Sequence, residues 1–403
     1  MFSSRLPWDR PTNRLTRLLN AKRATGVPLL DLTESNPTRV AIPYPTGAIA
    51  AALAAAAAAP YEPEPFGLPP ARAAVAAHWR RAGRLAAADR IVLTASTSEA
   101  YALLFKLLAD PGDAVLVPRP GYPLFDHLAA LEGVRTVPYG LALERRFRID
   151  RDALERAAEG GGGPRPPRAL VLVNPGNPTG TGLDPGERSW LLEFCAARRL
   201  PIIADEVFID YPFAGQGGSL VSLLPAAGEP EARTVSPGTV VFVLGGLSKS
   251  CGLPHLKLGW IAATGPDPLV GGALSRLELI ADTYLSAGTP VQQAAARLLE
   301  VGEGIRGRIR ARVSGNRDLL VRAVGPDSSC RVLPADGGWS AVLRVPAVRT
   351  EEEMVIGLLD RDGVLVHPGY FFDFPGEAFL VLSLLPDPAI FEEGVRRLLA
   401  AVA

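Results

Sequence analysis

The chain has 403 residues, of which 48% are hydrophobic, so it is long enough and apolar enough to bury the cores of two domains. Its 42 basic and 42 acidic residues balance, which leaves no net positive field to attract nucleic acid or an anionic membrane surface. We therefore expect a small-molecule partner, no nucleic acid and no membrane.

The cysteines and the first residues indicate a cytoplasmic protein. Cys195, Cys251 and Cys330 are too widely spaced for a CxxC metal site or a disulfide framework, which suits a reducing compartment. Residues 1–8 lack the apolar core of a secretory signal. The longest apolar run, at residues 50–59, is nearly all alanine and is too short to span a bilayer.

Between residues 90 and 265, short apolar runs alternate with amphipathic segments such as 98–109 and 184–198. The runs predict strands at residues 91–93, 114–117, 134–138, 169–173, 201–204, 240–244 and 259–262. Continuous apolar strands separated by helices are typical of an α/β fold whose mostly parallel sheet is sandwiched by helices. Ligands of such sheets bind at the carboxyl ends of the strands.

A second, smaller α+β domain follows. A long helical stretch covers residues 290–324, strands are expected near Arg331 and Ser340, and another helix begins at Glu351. We divide the chain into an N-terminal arm with part of the small domain (1–45), a large domain (46–285) and a small C-terminal domain (286–403).

Two segments rich in Gly and Pro fall inside the large domain. Strand material follows residues 160–167 at once, so this segment is expected to be a surface loop and not a domain boundary. Residues 214–238 are expected to form a mobile excursion.

Lys249 is the first chemically informative residue. It is one of only four lysines among 42 basic residues, and it follows Ser248 directly after the predicted strand 240–244. That position puts its amine at the sheet edge facing a cleft, where a lysine can form a Schiff base with a carbonyl cofactor. The alternative for a lysine taken alone is a solvated surface side chain.

Two further strand ends carry polar side chains. Asp205 ends the strand 201–204, and a carboxylate buried there needs a cationic partner or, alternatively, caps a helix. Its neighbour Glu206 fits either description. The loop 174–180, Asn-Pro-Gly-Asn-Pro-Thr-Gly, follows the strand 169–173 and presents the Asn177 amide as a hydrogen-bond donor.

Residues 94–100 join a strand to a helix. Hydroxyls of Thr97 and Ser98 at the start of that helix, with the backbone N–H groups, can bind a phosphate, and they also fit an ordinary helix cap. Lys257 can supply the countercharge.

Aromatic residues complete the candidate cleft. Tyr122 follows the strand 114–117 and either lays its ring on a planar ligand or packs in the core. Trp339, Phe371 and Phe372 are apolar candidates for the same cleft and point to a neutral substrate.

Taken in order, these segments resemble the class I/II aminotransferases of the aspartate aminotransferase superfamily, pyridoxal-phosphate enzymes of fold type I. The similarity runs from about Leu32 to the C-terminus. It implies amino acid and 2-oxo acid substrates. It also implies that Lys249 bonds to the cofactor and shuttles a proton, that Asp205 pairs with the pyridine nitrogen, and that Asn177 bonds the 3-oxygen.

The resemblance assigns the remaining contacts as well. Phosphate ligands would be Thr97, Ser98, Ser248 and Lys257. Tyr122 would stack on the cofactor ring. Tyr61 matches the tyrosine that reaches the phosphate of the neighbouring subunit, which implies a homodimer with shared active sites.

Three positions depart from the family pattern. Phe208 stands where a tyrosine generally bonds the 3-oxygen of the cofactor, and Lys257 replaces the usual phosphate arginine. Tyr211 is a candidate substitute for the missing tyrosine. Val381 occupies the place of the arginine that clamps the substrate α-carboxylate, and a bidentate clamp has no apolar equivalent.

Another cation must then take the carboxylate, or the substrate is held differently. Arg39 and Arg344 are the candidates, each with the alternative of an ordinary surface arginine. Ser35 and Asn36, with the following proline, match the N-terminal substrate loop of the family, where glycine is usual at position 35.

Transamination is the leading hypothesis. The same scaffold also serves lyases, cyclases and decarboxylases acting on amino acids, and fold alone does not decide between them. A ligand-sensing regulator is a third possibility. It would require a DNA-binding domain, and only about thirty residues precede the first motif.

Overall fold

The computed structural model describes residues 2–8, 11–56, 60–160, 165–214, 220–226 and 238–402. The strands in chain order are β1 (Leu30–Asp31), β2 (Ile91–Thr94), β3 (Ala114–Arg119), β4 (Arg135–Ala142), β5 (Arg148–Ile149), β6 (Leu170–Val173), β7 (Ile202–Asp205), β8 (Val241–Gly246), β9 (Gly259–Thr264), β10 (Arg331–Val332), β11 (Ser340–Arg344), β12 (Val364–Leu365), β13 (His367–Pro368) and β14 (Phe379–Ser383).

The α-helices are α1 (Arg14–Ala24), α2 (Thr46–Ala56), α3 (Pro69–Arg81), α4 (Thr97–Leu108), α5 (Leu124–Leu131), α6 (Arg151–Gly160), α7 (Pro185–Ala197), α8 (Leu247–Ser250), α9 (Asp267–Tyr284), α10 (Thr289–Gln293), α11 (Ala295–Val324), α12 (Glu351–Gly357) and α13 (Pro388–Val402). None of the helices in the described part of the chain is long and apolar enough to cross a membrane.

The large sheet has the strand order β2-β9-β8-β7-β6-β3-β4-β5. Its central strands run parallel, as the apolar alternation predicted, and every residue of β6, β7 and β8 is buried. Strand β9 is antiparallel to both of its neighbours, β8 and β2. The connection between β8 and β9 contains α8 and a short 3-10 helix (Pro254–Leu256).

Helices cover both faces of this sheet, and two apolar clusters result. One cluster contains the residues between the sheet and helices α4, α5 and α9, and the larger one extends to residues of α11, α12 and α13. Since every second residue of a strand faces the same side, this double cover explains why the strands read as continuous apolar runs.

The second sheet is antiparallel, with the order β10-β11-β14-β13. The predicted strands near Arg331 and Ser340 and the predicted helix at Glu351 are present. Helix α12 begins with a capping box made by Thr350 and Glu353. The predicted helix 290–324 is divided into α10 and α11 at Ala294.

The N-terminal segment joins the C-terminal part of the chain. Strand β1 pairs in parallel with β12, and Ser383 at the end of β14 donates a hydrogen bond from its backbone N–H to the Leu32 carbonyl at 2.7 Å. Residues 33–36 are thereby held beside the end of β14.

Two sequence predictions fall partly outside the described residues. Of the segment 160–167, Gly160 ends α6 and residues 161–164 lie outside. Of the excursion 214–238, residues 215–219 and 227–237 lie outside, while residues 220–226 are described. That described part packs on the main sheet, because Leu223 donates its N–H to the buried Glu206 carboxylate at 2.7 Å.

Candidate active site

A cavity of about 330 Å³ lies between the carboxyl ends of the parallel strands and the face of the small sheet. It collects residues that are remote in sequence. From the large domain it is lined by Thr97, Tyr122, Pro123, Phe125, Val173, Asn177, Asp205, Val207, Phe208 and Lys249. From the N- and C-terminal segments it is lined by Thr33, Ser35, Trp339, Ser340, His367, Phe371, Phe372, Val381 and Ser383.

Lys249 enters this cavity from α8, the short helix that directly follows β8. Burial lowers the pKa of its amine, and the Asp205 carboxylate opposes that shift. The Nζ atom lies 4.8 Å from the ring centre of Trp339 and 5.6 Å from that of Phe208. An amine in this setting loses its proton more readily than an exposed lysine, which a nucleophile or a base requires.

The helix that carries Lys249 is fixed from behind. The Tyr211 hydroxyl donates to the Lys249 carbonyl, and Arg306 donates to the Ser250 carbonyl at 3.3 Å. Tyr211 is fully buried and is not among the described residues that line the cavity. Its hydroxyl therefore orients the backbone of the lysine.

Asp205 is the last residue of β7, and it is 9% exposed. Its carboxylate accepts hydrogen bonds from the Tyr101 hydroxyl at 3.1 Å and from the Val207 N–H at 3.2 Å. Burial raises the pKa of Asp205 to about 6, and these two hydrogen bonds and Lys249 counteract part of that rise. The two hydrogen bonds and Lys249 thus do not fully offset the cost of burying the ionised carboxylate.

Glu206 points away from the cavity. It is 4% exposed and accepts hydrogen bonds from Leu223, Ser222 and Asn174. Its role is to anchor the segment 220–226 and the loop after β6. The sequence did not distinguish a cofactor-binding role from a structural role for Glu206, and these contacts identify it as a structural carboxylate.

The loop 174–180 is held at both ends. Asn174 accepts the Leu183 N–H at 3.0 Å, and the Gly180 carbonyl accepts the N–H groups of Asp336 and Gly337. Gly180 has a φ of +67°, a left-handed conformation that favours glycine. Asn177, between these anchors, lines the cavity, and among the described residues its side chain has no hydrogen-bond partner.

The start of α4 forms a second polar wall. Ser96 caps the helix by accepting the Glu99 N–H at 3.2 Å, and Thr97 is the first helical residue and lines the cavity. A Cβ atom on Gly259 would lie 2.9 Å from the Ser96 carbonyl carbon and 3.1 Å from the Thr97 nitrogen. Only glycine at position 259 therefore leaves this turn in place.

The other residues predicted around the same anion site are less enclosed. Ser98 is exposed and Ser248 is half-buried. Lys257 is exposed in a left-handed conformation with a φ of +49°. These three are not among the described residues that line the cavity.

The small sheet supplies the opposite wall. Val381 pairs with His367 on one side and with Val342 on the other, and Ser340 pairs with Ser383. Directly paired residues of an antiparallel sheet point to the same face, and so do residues two apart along a strand. His367, Val381, Ser383 and Ser340 consequently share the face that lines the cavity.

The predicted substrate arginines lie elsewhere. The Arg39 side chain is 72% exposed and pairs with Glu34 at 3.3 Å, and Arg344 is exposed at the end of β11. Among the described residues, neither lines the cavity, whereas Ser35 does. Asn36 caps the short helix Pro37–Arg39 through its Oδ1 atom. Tyr61 is 70% exposed and lies outside the cavity of its own chain.

Several site residues were not predicted. Tyr101 lies one helical turn after Thr97, and this spacing on α4 was the available signal. Thr33, Ser340, His367 and Ser383 come into the cavity through strand register and the β1–β12 pairing, for which no local pattern exists. Trp339, Phe371 and Phe372 line it as expected. Among the described residues no group of three or more His, Cys, Asp or Glu side chains could hold a metal ion.

Comparison with known proteins gives a consistent result. Residues 34–398 match the family described as aminotransferase class I and II. The arginine–pyruvate transaminase of Pseudomonas aeruginosa is 29% identical over 329 residues, which cover 81% of this chain and 78% of that protein. An alanine aminotransferase of Mycobacterium tuberculosis is 26% identical over 74% of this chain and 67% of its own length. The structure of an alanine aminotransferase from Pyrococcus furiosus superposes with a TM-score of 0.85 at 22% identity, covering 99% of both chains.

Proposed function

Because the chain belongs to the class I and II aminotransferases, pyridoxal-phosphate enzymes that act on amino acids and 2-oxo acids, we propose that Lys249 bonds to the cofactor and moves the substrate proton. The observation that carries this assignment is the buried amine of Lys249 in one cavity with the Asp205 carboxylate. Burial favours the neutral amine, so Nζ can accept the proton from the substrate α-carbon and release it again.

The cavity fits the cofactor. When bound, pyridoxal phosphate supplies an electron-withdrawing ring that stabilises negative charge on the substrate carbon. Among the described residues, the buried Asp205 carboxylate forms no salt bridge, and a protonated ring nitrogen would supply the cation that it needs. We assign Asp205 to hold that proton, and Tyr101 to orient Asp205.

The remaining cofactor contacts follow from position. Thr97, Ser98, Ser248 and Lys257 are assigned to the phosphate, because the backbone N–H groups at the N-terminus of α4 suit an anion. Asn177, Tyr122 and Phe208 all line the cavity, so around the ring Asn177 would donate its amide to the 3-oxygen, Tyr122 would stack, and Phe208 would add an apolar contact.

We assign the substrate end of the cavity to Ser35, Asn36, Arg39 and Asn177. Ser35 and Asn177 line the cavity directly, which supports their contact with a bound amino acid. Asn36 holds the backbone of the same loop through its Oδ1 atom. Arg39 would have to leave Glu34 to reach a substrate.

A homodimer is part of the proposal. Tyr61, Leu279 and Tyr284 are exposed by 70%, 73% and 53%, and Tyr61 and Tyr284 line one surface cleft. Large exposed apolar side chains that cluster mark an interaction surface. A second copy seated there would bring Tyr61 to the phosphate of its neighbour. Sedimentation of wild-type protein and a Y61A variant tests this, and a monomeric wild-type enzyme with full activity would contradict it.

We also assign the protein to the cytoplasm. Cys195, Cys251 and Cys330 are all buried free thiols, which suits a reducing environment. Fractionation of the native cell with a compartment marker tests this assignment.

Borohydride trapping tests the lysine assignment. The purified protein should be yellow, and reduction should abolish its visible absorbance while fixing the cofactor on the peptide that contains Lys249. K249A should lose the trapped label, whereas K106A should keep it, because Lys106 pairs with Glu132 at 2.6 Å outside the cavity. Labelling of another lysine would refute the assignment.

A nitrogen-labelled amino acid panel tests transfer itself. With a 2-oxo acid present, label should appear in the new amino acid and not in ammonium. Ammonium release without label transfer would indicate elimination in place of transamination.

A further inference from the structure

The substrate end of the cavity is poor in charge. Among the described residues that line it, only Asp205 and Lys249 carry charge, and the proposed function assigns both to the cofactor. Val381 is apolar and 2% exposed, and the Arg39 side chain is turned toward solvent and Glu34. A carboxylate that enters this end therefore meets no guanidinium from the described part of the chain.

His367 stands beside this gap. It pairs directly with Val381 across the β13–β14 ladder, so the two side chains lie on the same face of the sheet and both line the cavity. Directly opposed residues have Cβ atoms about 5 Å apart, which lets the longer imidazole reach the volume beyond the valine. Its ring lies between Phe371 and Phe372, with ring centres 5.9 Å away in each case.

The imidazole is available to a ligand. Within the described part of the chain, no hydrogen bond uses either of its nitrogens. The neighbouring hydroxyls are already engaged, since Ser383 donates to the Glu34 carbonyl at 2.7 Å and Thr33 donates to the Asp31 carboxylate at 2.6 Å. A half-buried polar ring that faces a cavity without a partner is expected to gain one from what binds there.

We propose that His367 binds the carboxylate of the amino acid substrate, in the place left without an arginine at Val381. This inference rests on the proposed aminotransferase function. His367 would act as a donor to the carboxylate oxygens, and Ser340, on the same face, can add a second hydrogen bond.

The electrostatics of the free site agree with this role. Burial lowers the pKa of His367, and Asp31 opposes that shift. The charged groups that face this volume are Asp31 on β1, which pairs with Arg23 at 3.7 Å, and Asp205 and Lys249, which line the same cavity. The free imidazole is thus largely neutral at pH 7, and an incoming carboxylate favours its protonated form, which donates through both nitrogens.

Equilibrium binding of two non-reacting probes tests the proposal. One probe is 2-methylalanine, and the other is tert-butylamine, in which a methyl group replaces the carboxylate. Neither has a hydrogen on the carbon that bears the amine, so neither can react. Their binding is followed by the absorbance of the bound cofactor. H367F should weaken 2-methylalanine binding by about 10- to 100-fold, the cost of one or two hydrogen bonds to a charged group, and change tert-butylamine binding by less than about twofold.

Matched variants separate donation from packing. H367F keeps an aromatic ring between Phe371 and Phe372 but has no donor, and H367Q keeps a donor without the ring, so H367Q should bind 2-methylalanine more tightly than H367F. R344A, which removes an exposed cation at the end of β11, should leave both probes unchanged.

Three results would overturn the proposal: unchanged 2-methylalanine binding in H367F, a loss in R344A as large as in H367F, or a wild-type enzyme that prefers tert-butylamine. Each leaves the visible absorbance and the label on Lys249 intact. Absence of that absorbance in wild-type protein would instead refute the proposed function.

Discussion

Asp205 should destabilise the cofactor-free protein at neutral pH, and replacing it with asparagine should remove that penalty. The ordinary pKa of an aspartate is 3.8, and burial raises the pKa of Asp205 to about 6. The two values differ by about 2, and each pKa unit corresponds to about 1.4 kcal/mol, so the ionised carboxylate lowers the free energy of unfolding by about 3 kcal/mol.

The sign of the pH dependence follows from linkage. Since the folded state binds this proton more tightly than the unfolded state, wild-type protein loses stability as pH rises from about 4 to about 6, and the loss is complete above about 6. D205N has no such titration. The cofactor-free variant should therefore match wild type near about pH 4 and exceed it by up to about 3 kcal/mol near about pH 8.

Asp210 provides a control with the opposite sign. It is also 9% exposed, but it pairs with Arg84 and lies 3.9 Å from Arg306, and these arginines lower its pKa despite its burial. D210N leaves the buried Arg84 and the half-buried Arg306 without their carboxylate and should cost about 3–5 kcal/mol at neutral pH. This cost should shrink as pH falls below about 4, because unfolded wild-type protein is protonated there while folded Asp210, with its lowered pKa, stays ionised to lower pH.

Urea unfolding of cofactor-free protein, at one protein concentration and across the pH range, measures both variants. The reasoning fails if D205N is less stable than wild type near about pH 8, or if its difference from wild type is the same at both ends of the range. Addition of pyridoxal phosphate should reverse the order, because only wild type offers a carboxylate to the protonated ring nitrogen.

Three further predictions concern neighbouring contacts. Y101F removes the hydroxyl that donates to Asp205 and should weaken cofactor binding about 10-fold in an absorbance titration. Y139F is the control. It removes an equally buried hydroxyl, which donates to the Val171 carbonyl at 2.9 Å, and should leave cofactor binding unchanged. G259A should weaken cofactor binding, since its Cβ would meet the start of α4 and displace it. Equal affinity with wild type would contradict this. The ratio of 2-methylalanine affinities between wild type and H367F should be larger near about pH 6 than near about pH 9, and a flat ratio would count against proton uptake by His367.

The strand ends of the large sheet could be predicted from sequence because they depend on local signals. Lys249, Asp205 and Asn177 each follow an apolar run, and parallel strands bring their carboxyl ends to one edge. The apolar pattern did not reveal the direction of β9. A strand that is buried on both faces has the same continuous apolar sequence whether it runs parallel or antiparallel to its neighbours.

The small-domain wall could not be predicted in the same way. A residue reaches the cavity there only through its register in an antiparallel ladder, and a shift of one residue would turn His367 and Val381 to the opposite face. Tyr101 and Tyr211 show the same limit for helices and turns. One holds Asp205 and the other holds the backbone of Lys249, and both contacts span distant parts of the chain.

The exchange of a cation for an apolar residue at Val381 is therefore best understood together with its strand partner. Val381 packs in a small apolar cluster with Phe147, Val342, Phe374 and Phe379, where a buried guanidinium would lose its hydration. An imidazole at position 367 avoids that cost, because it can stay neutral while the cavity is empty of substrate and take up a proton when a carboxylate arrives. Substrate binding at such a site is coupled to proton uptake by His367. Its affinity for the substrate must therefore depend on pH more than the affinity of a site with an arginine, which is charged at every pH in the range.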